Sequence, residues 1–202
     1  EGGVVVPEDG YLTEVQKICD DNGILFVLDE VQTGFGRVGE MFAWQLFDVK
    51  PDIFTVAKAM GGGFPMGAML ARPEVMDAFK KGDHASTFGG THIASAAAKA
   101  SIEVILEENL CQKARELGKY LITELERLKE KYGFIRDVRG RGLLVGMELE
   151  FNCSNIVDKA RKNGVLINCT HDNVLRFLPP LVIEKGQLKK AVEVLEEIFE
   201  AV

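Results

Sequence analysis

Lys58 follows the apolar run Ile53-Phe54-Thr55-Val56 and precedes the glycines Gly61-Gly62-Gly63. An ammonium at the end of a buried strand is costly unless it is paired or neutralised. A lysine so placed is suited to act as a nucleophilic amine or to form a Schiff base. The glycines tilt the reading toward chemistry, because they let a backbone approach a ligand closely. The other reading is a surface lysine whose stem lies along apolar neighbours. Arg176 lies inside Val174-Leu175-Arg176-Phe177-Leu178, just before Pro179-Pro180. A guanidinium there needs an anion, and its planar fork fits a carboxylate through two bonds. A structural salt bridge would satisfy it equally.

Asp29 and Glu30 end a second apolar run, Ile24-Leu25-Phe26-Val27-Leu28. Ligands in open α/β sheets gather at the carboxyl ends of strands. Such a strand also fits a nucleotide-hydrolysing ATPase, but that reading needs a G-x-x-x-x-G-K-[ST] loop, and the chain has none. Asp29 as a simple turn residue stands beside both. Ser86-Thr87-Phe88-Gly89-Gly90 sets two hydroxyls before two glycines, ahead of an Ala-rich stretch. Hydroxyls and free N–H groups at such a point can hold phosphate, or can simply cap the following helix.

The elements that must position these residues follow from the hydropathy pattern. Glu8 to Asn22 reads as a helix with Leu12, Val15 and Ile18 on one face and Gly23 as its stop. Ile24–Leu28 has no polar alternation, which suits a strand covered on both faces in a parallel sheet. Ile53–Val56 and Ala68–Ala71 read as two more short buried strands. Leu110, Ala114, Leu117, Leu121, Leu125, Leu128 and Tyr132 recur at helical spacing, as one long helix or as two broken near Asn109. Leu143, Val145, Met147 and Leu149 alternate with Leu144, Gly146, Glu148 and Glu150, a strand with one wet face. Ser154 is expected to cap a short helix stopped by Gly164. Val165–Cys169 and Val174–Leu178 read as strands joined by Thr170-His171-Asp172-Asn173. A last helix buries Leu188, Val192, Leu195, Ile198 and Val202.

The chain has 202 residues, 47% hydrophobic and 27% charged, with a net charge of −7. That composition suits one large globular domain or two small ones. The acidic balance speaks against nucleic acid as a partner. No apolar run is long enough to span a bilayer, and the opening Glu1-Gly2-Gly3-Val4 has neither an initiator Met nor a basic-then-apolar leader, so no signal peptide is expected. Cys19, Cys111, Cys153 and Cys169 are far apart in sequence and do not cluster with His84, His92 or His171. Reduced, buried thiols are expected rather than a zinc site or a disulfide.

Three motifs in order carry a resemblance. They are Leu28-Asp29-Glu30-Val31-Gln32-Thr33-Gly34-Phe35-Gly36-Arg37, Ala57-Lys58-Ala59-Met60-Gly61-Gly62-Gly63-Phe64-Pro65-Met66-Gly67, and Ser86-Thr87-Phe88-Gly89-Gly90. Together the chain resembles, from Glu1 to its C-terminus, the class III aminotransferases of the ornithine and 4-aminobutyrate type. The stretches His84–Gly90, Gly164–Thr170 and Asn173–Leu181 are most similar to the acetylornithine subfamily. The resemblance implies the C-terminal portion of a fold type I, pyridoxal-phosphate-dependent α/β transferase. Residues 1–92 would complete a mostly parallel large domain, and residues 93–202 would form the interdomain helix and a small α+β domain.

By the same resemblance, Lys58 is the lysine that binds pyridoxal phosphate covalently and later moves the proton. Asp29 pairs with the pyridinium nitrogen, Val31 packs on the ring, and Gln32 sits near its phenolic oxygen. Thr87, with Ser86 beside it, reaches the cofactor phosphate of a neighbouring subunit in a homodimer with shared active sites. Arg176 grips the α-carboxylate of glutamate or 2-oxoglutarate, and Glu1 pairs with Arg176 when the other substrate is bound. The implied reaction is amino transfer between N-acetylornithine and 2-oxoglutarate in arginine biosynthesis, in the cytoplasm. Ornithine, succinylornithine or 4-aminobutyrate transamination, an aminomutase, and a catalytically inert fragment are the alternatives. No metal is implied. Val38 departs from the family's usual Thr, and Thr91-His92 from its Asn-Pro. The phosphate loop, stacking aromatic and second substrate arginine of the family's N-terminal half have no counterpart in this chain.

Overall fold

A computed structural model describes residues 1–202, which divide into two compact units, Pro7–Cys111 and Glu1–Val6 with Gln112–Val202. The division falls after the Ala-rich helix rather than before it, and the first six residues join the second unit.

The unit Pro7–Cys111 begins with α1 (Tyr11–Asn22), which stops at Gly23; this glycine adopts φ 65° and donates its N–H to the carbonyls of Asp20 and Cys19. None of its residues is fully buried: Leu12 and Val15 are half-buried and Ile18 is exposed, so the expected apolar face is only partly covered within this chain. Three short strands follow: β1 (Val27–Asp29), β2 (Ile53–Val56) and β3 (Ala68–Ala71), hydrogen-bonded in that order. Within this chain the sheet is mixed: β1 and β2 are parallel, and β3 runs antiparallel to β2. Within this chain β1 is not covered on both faces, since Val27 is 52% exposed.

What fixes this sheet is polar as well as apolar. Asp52 is buried, accepts the N–H of Phe26 at 2.6 Å and pairs with Arg72. Phe42, Trp44 and Phe54 form an aromatic cluster against it. After the one-turn α2 (Pro73–Met76) comes α3 (His92–Glu107), which lies on the loop that follows β2. A side chain at Gly62, which sits at φ 57°, would run into Ser101 of α3.

The second unit holds α4 (Leu110–Lys131) from Gln112 onward, β4 (Ile135–Arg141), β5 (Leu144–Leu149), α5 (Ser154–Lys162), β6 (Asn168–Thr170), β7 (Val174–Phe177) and α6 (Lys185–Phe199). The periodic residues Leu110 to Leu128 thus form one helix, α4, separated from the Ala-rich α3 by a break at Asn109 with φ 52°. The four strands make an antiparallel sheet in the order β4-β5-β7-β6. One face is the core: Val145, Met147, Leu149 and Leu175 are fully buried with Leu125 and Leu128 of α4 and Leu195 of α6. Val202 lies outside α6 and is exposed. Ser154 is the first residue of α5 rather than its cap; the side chain of Asn152 accepts the Ser154 N–H at 3.0 Å instead.

The expectation of four reduced thiols is corrected as well. Cys153 and Cys169 form a disulfide, with Cα atoms 5.6 Å apart, a separation that such a bond normally spans. Sixteen residues of sequence separate them, but α5 carries the chain away and back, so the start of the helix meets β6. Cys19 and Cys111 form no disulfide. No helix is long and apolar enough to cross a membrane.

Candidate functional site

Asp29 closes β1 and is opposite Thr55 in the parallel register. Its Oδ1 accepts the Val31 N–H at 2.9 Å and the Thr55 hydroxyl at 3.1 Å. One oxygen is thereby anchored, and the other takes no hydrogen bond from the protein. Asp29 is exposed, in contrast to the buried strand end expected. Its neighbour Glu30 points inward instead. Glu30 is 2% exposed, takes the Trp44 N–H at 2.9 Å and bonds the Thr33 hydroxyl. Glu30 is therefore a structural pin for the loop that carries Val31 and Gln32.

Lys58 comes two residues after β2 and opens a tight turn, Lys58–Gly61. Its φ is 48°, in the left-handed region that a residue with a Cβ normally avoids. Backbone strain of this kind persists only where the surrounding structure imposes it, and it gathers at functional sites. The Nζ donates to Gln32 Oε1 at 3.3 Å. The side chain is exposed, so the expected penalty of a buried ammonium does not operate in this chain. Lys58 and Gln32 thus meet directly, and Asp29, Val31 and Thr55 are joined by hydrogen bonds at the same ends of β1 and β2.

Ser86 and Thr87 are exposed and bond none of these residues. Ser86 instead lines a cavity of about 320 Å³ with Gly67, at the end of the loop that Lys58 opens, and with Gly89 and Gly90.

In the second unit, Arg176 is on β7 with its side chain only 11% exposed. Nε donates to Asn168 Oδ1 of β6 at 3.2 Å. Nη1 lies 3.0 Å from Glu1 Oε1, yet off the N–H direction, so this buried nitrogen makes an ion pair but no aligned hydrogen bond. Arg176 holds the Glu1 carboxyl below its usual range, through direct contact and then through its charge. The Thr170 hydroxyl lies 2.6 Å from the Glu1 carbonyl oxygen and 3.3 Å from Oε2, so its one hydrogen goes to the nearer carbonyl. Sequence reasoning paired Arg176 with Glu1 but missed Thr55, Thr170 and Asn168. All three are polar residues inside or beside an apolar strand run, and only the sheet register places them: Thr55 opposite Asp29, Asn168 opposite Arg176 and Thr170 opposite Val174.

The chemistry available is an amine with an amide partner, a half-anchored carboxylate, and a buried guanidinium with an unfilled donor. The family model for aminotransferase class-III matches residues 1–199. Acetylornithine aminotransferase of Methanothermobacter thermautotrophicus is 52% identical over 98% of this chain and 51% of its own length. Ornithine aminotransferase of Oceanobacillus iheyensis is 45% identical over 98% of this chain and 50% of its own length. The crystal structure of acetylornithine aminotransferase from Elizabethkingia anophelis superposes with a TM-score of 0.95 at 39% identity, covering all of this chain and 52% of that one. The chain spans about half the length of the relatives it matches.

Proposed function

Because this chain belongs to the class III, pyridoxal-phosphate-dependent aminotransferases, we propose that it carries the cofactor lysine and one substrate-carboxylate site of such an enzyme. The fold is then read as the C-terminal portion of a fold type I transferase. The observation that carries the reading is Lys58: a strained left-handed lysine at a strand end, its amine on Gln32.

The donor set fits pyridoxal phosphate. Lys58 offers a primary amine for its aldehyde, Asp29 an oxygen without a protein donor for its ring nitrogen, and Gln32 an amide for its phenolic oxygen. Val31 would pack on the ring. When bound, pyridoxal phosphate supplies an electron sink for the pair released as the substrate α-C–H bond breaks. Asp29 keeps a positive charge at the ring nitrogen favourable, and Thr55 keeps Asp29 aimed. Lys58 Nζ takes the α-proton of the amino donor in one half-reaction and delivers a proton to the α-carbon of 2-oxoglutarate in the other. Ser86 and Thr87 stand exposed and apart from this cluster, which is compatible with their service to a neighbouring subunit's phosphate in a homodimer.

Arg176 binds the α-carboxylate of glutamate or 2-oxoglutarate with its two-pronged fork. Glu1 covers it while the other amino donor is bound and swings away when glutamate arrives. N-acetylornithine as that donor is supported by the similarity to acetylornithine aminotransferases. Ornithine is the second reading, supported by the similarity to an ornithine aminotransferase.

Single-turnover absorbance of the complete enzyme, with glutamate in one arm and N-acetylornithine in the other, tests this. Arg176→Lys keeps charge but loses the fork, so it should raise the glutamate requirement about tenfold or more and leave the other half-reaction nearly unchanged. Equal effects in both arms would contradict the assignment.

A further inference from the structure

Arg139, Gly146, Arg176 and Asn168 occupy one rung across the four-stranded sheet: Arg139 is opposite Gly146, Gly146 opposite Arg176, and Arg176 opposite Asn168. Residues on one rung share a face, as do residues two apart on a strand. Asp137, Glu148, Val174 and Thr170 are therefore on this face too. It is the face away from the core, and the segment Glu1–Val4 lies along it.

The segment is held by its backbone. Arg139 Nε donates to the carbonyls of Gly3 at 3.1 Å and Val4 at 3.0 Å, and Nη2 donates to Gly3 at 2.7 Å. Its Nη1 donates to Asp137 at 2.9 Å and Glu148 at 2.8 Å, so the guanidinium is fixed from its far side. At the other end the buried Thr170 donates to the Glu1 carbonyl. Between the anchors, Gly146 leaves room: a Cβ there would come within 3.1 Å of Val4 Cβ. The chain bends to fit, with Gly3 at φ 95° and Val4 at φ 56°. The Glu1 side chain, 86% exposed, is held by its ion pair with Arg176.

We propose that Arg139 and Thr170 are specificity-determining positioning residues: they clamp the Glu1–Val4 backbone so that the Glu1 carboxylate alone swings on and off Arg176. The inference rests on the reading that Arg176 binds the substrate carboxylate. A clamped segment keeps the Glu1 carboxylate at high effective concentration beside Arg176, where it competes with an incoming carboxylate. Loosening the clamp lowers that concentration and frees Arg176 for glutamate. The amino donor that leaves Arg176 without a substrate partner then loses its cover.

The test uses the complete enzyme with Thr170→Val, Thr170→Ser and Arg139→Lys. Valine keeps the β-branched shape but cannot donate; serine restores the donor. Glutarate binding by calorimetry and single-turnover kinetics of both half-reactions are measured. Thr170→Val and Arg139→Lys should tighten glutarate and glutamate binding about two- to tenfold, the worth of a hydrogen bond, and weaken the other donor, with Thr170→Ser near the parent. Equal loss in both half-reactions, or unchanged glutarate binding, overturns the clamp while leaving Arg176 assigned. If Arg176→Lys itself leaves glutarate and glutamate unaffected, the underlying reading fails, and the clamp with it.

Discussion

The Thr55 hydroxyl donates to Asp29 Oδ1 across the parallel β1–β2 pair at 3.1 Å, so a strand neighbour aims the carboxylate. Thr55→Val keeps the strand and removes that bond. We expect pyridoxal-phosphate affinity, followed by absorbance titration, to fall a few-fold at most. Asp29→Ala should slow turnover far more than it weakens affinity. An Asp29→Ala enzyme that turns over like its parent would leave Asp29 a turn residue only.

Lys58 sits at φ 48°. A left-handed residue with a Cβ costs about 1–2 kcal/mol, part of which glycine gives back through its freer unfolded chain. Lys58→Gly should therefore be more stable than Lys58→Ala by about 0.5–1 kcal/mol, and both are expected to be inactive. Chemical unfolding of the two variants checks this. An alanine variant as stable as the glycine variant would show that the turn relaxes without cost.

Glu196 of α6 receives hydrogen bonds from Arg127, at 2.7 and 3.2 Å, and from Lys131 at 2.9 Å, both on α4. Arg127 foremost, then Lys131, pushes its carboxyl down to about 2. A depressed carboxylate binds its proton more weakly in the folded state than in the unfolded one. Its stabilisation is complete above its ordinary value of 4.5 and is lost as pH falls from there toward about 2. Urea unfolding at stepped pH should show Glu196→Gln less stable than the parent above that window, with the gap closing inside it. A gap that stays constant with pH would contradict the linkage.

Gly118 is in the middle of α4, where Gly→Ala ordinarily stabilises by up to about 1 kcal/mol. Here a Cβ would collide with the backbone of Gly142, in the β4–β5 turn. Backbone cannot rotate away as a side chain can, so the clash wins. Gly118→Ala should destabilise by about 1–3 kcal/mol, read as a lower thermal midpoint. A raised midpoint would show that the turn gives way.

The parts of this fold that were legible in sequence are those where local chemistry and burial agree. Gly23 ends α1, Asn109 breaks the long helical stretch, and Val145, Met147 and Leu149 face the core as their alternation requires. Strand β4 escaped notice because Arg136, Asp137, Arg139 and Arg141 interrupt its apolar residues; it has a polar face because the Glu1–Val4 segment lies there. The direction of β3 depends on pairing, which hydropathy does not encode. The exposure of Val27 and Asp29 could not be read from an apolar run that looks buried. The Cys153–Cys169 bond depends on where α5 returns the chain. Within the site, Lys58, Asp29, Gln32 and Arg176 were legible through their motifs, whereas Thr55, Thr170 and Asn168 needed the register of the sheets.

The central assignment is that Lys58 is the lysine bearing the cofactor. The most direct measurement is borohydride reduction of the complete enzyme in the presence of pyridoxal phosphate, followed by peptide mapping. The expected result is a pyridoxyl group on Lys58 alone, absent from the Lys58→Ala variant. A pyridoxyl group on another lysine of the enzyme, with Lys58 unlabelled, would contradict it.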